Sequence, residues 1–312
     1  MKTVISRLLL AVSLLAPLHA AERSVQVSSD QPPQTFRSSV DLVTIQASVR
    51  DKRGRPLKGL TPTDFEVRDN GEVRPILSLR SDRKSPVSVA ILVDMSGSMR
   101  IGSKIAMARQ AFDSILAQLH AGDDEVAVLT FDSELHERQD FTRDLSALRC
   151  ALSDFEPFGT TSIYDATAEA ARRLSARSAT HKAIIVLTDG VDTSSTMSAS
   201  EVSAIASSIS VPVFVVATVP FADQRARIDI TDRGARSDSA DLRDLAEWTG
   251  GQFVFARTFT ETIIAASSLL DELRQQYVLA IEAAGSREWR RLDIRVKHPS
   301  ATVKARSGYY GG

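Results

Sequence analysis

Hydrophobic and polar positions alternate at the start of this chain and then change rhythm. Val43, Ile45, Ala47 and Val49 fall on one face and Thr44, Gln46, Ser48 and Arg50 on the other. That period of two predicts a half-buried strand. A turn at Gly54–Pro56 leads to Phe65–Asp69, and Asn70-Gly71 supplies the positive φ angles of a tight hairpin. Glu72–Leu79 is therefore expected to return antiparallel. Strands this short and this few bury little surface by themselves.

At Pro86 the rhythm changes. Apolar strands are predicted at Val87–Val93, Glu125–Phe131, Ala183–Thr188, Pro212–Thr218 and Gln252–Phe255. Between them, Ile105, Ala108, Phe112, Ile115 and Leu119 recur at helical spacing. Further helices are predicted around Leu145–Leu152 and over Ala166–Ala176, Glu201–Ile209, Leu242–Trp248 and Glu261–Gln275. Polar Asp132–Arg143 reads as a connection, and charged, turn-rich Phe221–Ser239 as a solvated loop. Near-continuously apolar strands alternating with helices predict the α/β class, a doubly wound, mostly parallel sheet covered on both faces. Strand patterns return at Tyr277–Ala283, at Leu292, Ile294 and Val296, and at Thr302–Ala305. Neither end can bury its apolar face alone, so a β-rich flanking unit built from both chain ends is expected.

The opening residues carry an address. Lys2 and Arg7 precede the apolar run Leu8–Ala16, with a small-residue exit at Ala20-Ala21. This is the order of a secretory signal peptide. The run is too short for a spanning helix, which needs ~20 apolar residues. Ser, Gln and Pro enrich the stretch that follows, a flexible lead-in. The expected organisation is a signal peptide at 1–20, the lead-in at 21–37, a β unit at 38–85, the α/β unit at 86–270, and a helix end with β strands at 271–312 packing on 38–85. No later stretch is apolar enough to span a bilayer, so the protein is expected to be exported, periplasmic or secreted. The oligomeric state is left open.

Composition narrows the chemistry. Lys and Arg number 38 against 39 Asp and Glu, a net charge of -1, which argues against a nucleic-acid partner. Cys150 is the sole cysteine and can close no intrachain disulfide; its spacing with Leu145, Leu148 and Leu152 reads as a small core residue. The five histidines are scattered with no His-Glu-x-x-His pair, against a zinc hydrolase. Trp248, Trp289, Tyr309 and Tyr310 read as packing residues, and Arg172, Arg173 and Arg177 as a solvated basic face.

One pentapeptide stands out. The strand Val87–Val93 runs into Asp94-Met95-Ser96-Gly97-Ser98, three oxygen-bearing side chains within one turn of chain. They sit at the carboxyl end of a buried strand, where open α/β sheets bind ligands. Carboxylate, hydroxyl and water oxygens suit a hard cation such as Mg²⁺. Taken alone, the pentapeptide serves a helix cap equally well. Two more segments add to it: Gly159-Thr160-Thr161 before a helix, and Asp189-Gly190 after the strand Ala183–Thr188. Each has its own structural reading, Thr161 as a cap and Asp189-Gly190 as a turn. Their coincidence with Asp94, Ser96 and Ser98 favours one site.

These segments resemble a von Willebrand factor type A domain with a metal-ion-dependent adhesion site. The resemblance rests on Asp94–Met99, on Gly159–Ala166, on Leu187-Thr188-Asp189-Gly190 and on Thr249-Gly250-Gly251. It implies metal contacts from Ser96, Ser98 and, with ligand bound, Thr161. It also implies that Asp94 and Asp189 act at least partly through water, and that a partner's carboxylate completes the shell around Mg²⁺ (or Mn²⁺ or Ca²⁺). Bacterial members often have Gly-Gly-Thr where this chain has Gly159-Thr160-Thr161, so Thr160 competes for the role of Thr161. The flanks resemble the bacterial VWFA-related Acidobacterial domain family, through Val49–Pro56, Gly59-Leu60-Thr61, Asp64–Gly71, Gln276–Leu279 and Ala305–Tyr310.

The expected function is an exported module that binds an acidic group of a protein partner. The alternatives are a structural subunit of an envelope assembly and a metal-assisted hydrolase with a base from Asp132, Asp165 or Asp192. No nucleophile–base pair is visible and Ser96 lies in no Gly-x-Ser-x-Gly elbow, so a non-enzyme is expected. Asp165 has two readings, an acceptor steadying Thr161 or a carboxylate at a helix start.

Overall fold

The computed structural model describes residues 41–81, 85–152, 156–220, 238–285 and 287–311. The expected signal peptide and lead-in lie outside these residues. So does the segment expected as a solvated loop, except for Asp238 and Ser239, which open a helix.

The strands are β1 (Leu42–Arg50), β2 (Phe65–Asp69), β3 (Glu72–Arg74), β4 (Ser78–Arg80), β5 (Val87–Asp94), β6 (Glu125–Phe131) and β7 (Leu135–Thr142). They continue as β8 (His181–Thr188), β9 (Val213–Thr218), β10 (Gln252–Ala256), β11 (Tyr277–Glu282), β12 (Trp289–Val296), β13 (Thr302–Ala305) and β14 (Gly308–Tyr310). The helices are α1 (Lys104–Leu116), α2 (Ile163–Ser175), α3 (Ala199–Ser208), α4 (Asp238–Thr249) and α5 (Phe259–Arg274). Among the described residues no helix is long and apolar enough to cross a membrane.

A six-stranded sheet in the order β10-β9-β8-β5-β6-β7 forms the centre, parallel except for β7. Because successive side chains of a strand point to opposite faces, β5 feeds two cores. Val89, Ile91 and Val93 pack with α1 and α5, through Met107, Phe112, Ile115, Leu269 and Leu273. Ala90 and Leu92 pack with α2, α3 and α4, through Ile163, Leu174, Val202, Leu242 and Leu245. This is the doubly wound α/β class, and burial on both faces is why its strands read as unbroken apolar runs.

Two segments depart from the expected pattern. Asp132–Arg143, read as a connection, contains β7, an antiparallel edge strand with irregular register against β6. Edge strands tolerate charge, so its polar sequence concealed it. Leu145–Leu152 is a run of turns rather than a helix, with N–H groups of Ala147, Leu148, Arg149 and Ala151 bonded three residues back. Leu148 and Leu152 still reach the α1 and α5 core, whereas Cys150 is exposed and not a core residue. Of the basic residues on α2 and just after it, Arg172 is exposed as expected, whereas Arg173 and Arg177 are partly buried. Arg172 and Arg173 pair with Glu169, Arg173 also with Glu137, and Arg177 with Glu125.

The flanks form two four-stranded antiparallel sheets, β13-β1-β11-β4 and β14-β12-β2-β3. Each combines strands from both chain ends, with Ile45 opposite Leu279 and Val67 opposite Ile294. The Asn70-Gly71 hairpin joins β2 to β3, but the return is shorter than expected, because Ser78–Arg80 crosses to the other sheet and pairs with β11. The two sheets share one core, with Ile45, Ala47, Val67, Tyr277, Leu279, Ile281 and Tyr309 buried together. The Tyr277 hydroxyl donates to Leu57 O at 3.0 Å, so this buried phenol is satisfied.

Candidate metal centre

The site is set by topology before any side chain is considered. Strands β5 and β8 are parallel neighbours, with Val93 beside Leu187. The chain leaves β5 towards α1 on one face and leaves β8 towards α3 on the other. The two connections part at the carboxyl ends and open a crevice there, the switch point at which such sheets bind ligands. Asp94 is the last residue of β5, and Asp189 follows the last residue of β8.

Asp94 is wholly buried. Its Oδ1 accepts the Ser96 N–H at 2.8 Å and its Oδ2 accepts the Thr188 hydroxyl at 2.5 Å, so the carboxylate ties the two strand ends together. Burial raises its pKa from 3.8 to about 6, against the lowering effect of the Ser96 and Thr188 hydrogen bonds; nearby Asp189 raises it further. Ser96 Oγ lies 3.1 Å from Ser98 Oγ. Ser96 precedes the single turn Gly97–Arg100 without capping it through its side chain, so the cap reading of this serine is not realised. Asp189 is buried, and its Oδ2 accepts the Lys104 ammonium at 3.0 Å.

Thr161 reaches the rim through a second loop. Phe158 N–H donates to Met95 O at 2.7 Å and Gly97 N–H to Gly159 O at 3.0 Å, which zips that loop to the Asp94 loop. Gly159 has φ +85, a conformation that favours glycine, and a side chain at Gly97 would stand 3.3 Å from Gly159 O. Thr161 N–H donates to Thr193 Oγ1 at 2.9 Å, and Thr161 O accepts from Thr193 N and Ser194 N. Thr161 is thus buried between the loops that follow β5 and β8, whereas Thr160 is exposed.

Three residues have roles that polarity and spacing did not reveal. Asp192 fills the capping role that Thr161 was a candidate for, accepting the Ile163 and Tyr164 N–H groups at 2.7 and 3.3 Å at the start of α2. Asp165 lies in the first turn of α2, as the helix-start reading expects, and does more than that reading gave it. It accepts Thr196 N and Met197 N, both at 2.9 Å, and pins the loop before α3. Lys104 opens α1 yet is buried, a position where the helix dipole disfavours a cation. That misplacement was the one available signal.

Two carboxylates and a set of hydroxyls make a hard oxygen donor set of the type Mg²⁺ takes. Among the described residues no group of three or more His, Cys, Asp or Glu side chains is placed to hold a metal. A cation here would therefore depend on hydroxyls and water as well as on Asp94 and Asp189.

A doubly wound sheet with an oxygen-rich rim at its switch point defines a class of ligand-binding α/β domain. Residues 89–192 match the family model described as the von Willebrand factor type A domain. The matched segment includes Asp94, Ser96, Ser98, Thr161 and Asp189. No curated protein matches the chain. Among solved structures, a von Willebrand factor type A protein from Catenulispora acidiphila is similar at 14% identity and TM-score 0.50, over 86% of this chain and 73% of that one. An aerotolerance-related membrane protein from Bacteroides fragilis matches at 18% identity and TM-score 0.47, over 60% of this chain and 99% of its own. The vWF domain of the type V pili tip protein Mfa5 from Porphyromonas gingivalis matches at 27% identity and TM-score 0.30, over 35% of this chain and 39% of its own.

Proposed function

We propose that the chain is an exported binding module. In this reading Asp94, Ser96, Ser98, Thr161 and Asp189 hold a divalent cation, Mg²⁺ or else Mn²⁺ or Ca²⁺, and a carboxylate from a protein partner completes its coordination. One observation carries the reading: two buried carboxylates and two hydroxyls 3.1 Å apart meet at the carboxyl ends of adjacent strands. Buried carboxylates are costly unless paired or coordinated; Asp189 is paired with Lys104, whereas Asp94 accepts from the neutral Ser96 N–H and Thr188 hydroxyl. Mg²⁺ keeps several waters when it binds protein, which suits contacts from Asp94 and Asp189 that run partly through water. Burial of Thr161 between the two loops favours it over exposed Thr160 as the third hydroxyl.

Binding is favoured over hydrolysis because all three candidate bases are engaged, Asp132 by the Glu134 N–H at 2.9 Å and by His136. Asp192 caps α2 and Asp165 pins the following loop. Export rests on the signal-like order of residues 1–20 and implies a partner in the periplasm or outside the cell.

The test is capture of partners from an envelope extract with the intact mature chain. The expected result is capture in Mg²⁺ that is lost both in EDTA and in Asp94→Ala. Capture indifferent to EDTA and to the substitution would show that partner binding needs no metal at this site.

A further inference from the structure

We infer that Lys104 is a built-in cation of this rim, competing with a divalent ion for Asp189 and holding the site's metal affinity low. The inference rests on the metal-binding reading above and deepens it. Lysine is among the residues least often buried, and the first position of a helix is the wrong end for a positive charge. Lys104 nevertheless opens α1 with 6% of its surface exposed. Its ammonium lies 3.0 Å from Asp189 Oδ2 and 3.4 Å from Ser98 O, so it touches two of the five rim residues. Packing alone does not require this, because an apolar residue of similar length would fill the same space without desolvating a charge.

Two consequences follow from the charge count. Asp94 and Asp189 offer two negative charges, and Lys104 cancels one. A divalent ion entering the rim meets a fixed like charge across a few ångströms of buried protein, where Coulomb repulsion is poorly screened. It must displace the ammonium from Asp189 or bind beside it, and either costs affinity. In return, Asp189 has a counter-charge when no metal is bound, so the rim stays folded when empty. A site built this way binds metal weakly by itself and gains most from a partner that brings an added negative charge.

The test is calorimetry of Mg²⁺ binding to the intact mature chain, for wild type, Lys104→Met and Asp94→Ala. Lys104→Met keeps the length of the stem and removes the charge. The expected result is a dissociation constant at least tenfold lower in Lys104→Met than in wild type. Its metal-free melting temperature should also fall and be restored by Mg²⁺, because Asp189 has lost its counter-charge. Equal or weaker Mg²⁺ binding by a folded Lys104→Met overturns the inference while leaving the metal site standing. No Mg²⁺ binding by any of the three proteins overturns the metal reading and the inference with it. Should Lys104→Met fail to fold, the Lys104 side-chain nitrogen resonance of wild type serves instead. It should shift as Mg²⁺ saturates the site, and an unchanged resonance at saturation overturns the inference.

Discussion

Asp94 is the residue at which burial and charge conflict most openly. Its folded pKa of about 6 exceeds the ordinary value of 3.8, so the folded state holds the proton more tightly than the unfolded chain does. The stability this contributes is complete below pH 3.8 and is lost as pH rises through about 6. At neutral pH the ionised carboxylate costs the metal-free protein about 3 kcal/mol. Urea unfolding of metal-free wild type and Asp94→Asn between pH 4 and 8 should therefore show Asp94→Asn gaining on wild type by roughly 1–3 kcal/mol as pH rises from 4 to about 6, and levelling off above that. A difference that does not vary with pH would contradict this assignment. Metal reverses the balance, since a cation favours the ionised form, and Mg²⁺ affinity should accordingly decline below pH 6.

At the scale of elements, close approach sets the tightest constraint. Gly251 begins the turn into β10, and a Cβ built there would stand 2.0 Å from Val213 O at the start of β9. Gly251→Ala must push apart two paired strands of the central sheet. It should cost on the order of 3 kcal/mol or more, read as a fall in melting temperature. An unchanged melt would show that the two backbones are not in contact. Strands such as β5 were legible in the sequence because burial on both faces leaves a run like Val89-Ala90-Ile91-Leu92-Val93. β7 was not, because an edge strand needs few apolar residues, and the Leu145–Leu152 turns were not, because Leu148 and Leu152 bury without a helix between them. The short-range part of the rim was equally legible in Asp94, Ser96 and Ser98. Lys104 and Asp192 were hidden because their partners are remote in sequence: Asp189 lies 85 positions from Lys104, and Ile163 lies 29 from Asp192.

Across the whole of residues 41–311, the β flanks and the α/β unit are fastened by polar contacts at the end of the sheet away from the rim. Arg306 is buried and donates to Ser207 O in the last turn of α3 and to Thr44 O in β1 at 2.6 Å. The free carbonyls at a helix end favour a cation, which is why this guanidinium is tolerated there. Burial nonetheless lowers its pKa to about 10. Gln46 adds a bond to Thr180 O at 2.7 Å, and the Ser307 N–H one to Trp248 O at 2.8 Å. These contacts involve β1, α3, α4 and the Ala305–Tyr310 tail but none of the five rim residues, so substitution of a rim residue should leave the fold intact. That separation makes one measurement decisive: calorimetric titration of Mg²⁺ into folded wild type and folded Asp94→Ala. The expected result is one Mg²⁺ bound per wild-type chain, and an affinity at least tenfold weaker in Asp94→Ala at unchanged circular dichroism. Equal affinity in the two proteins would contradict it.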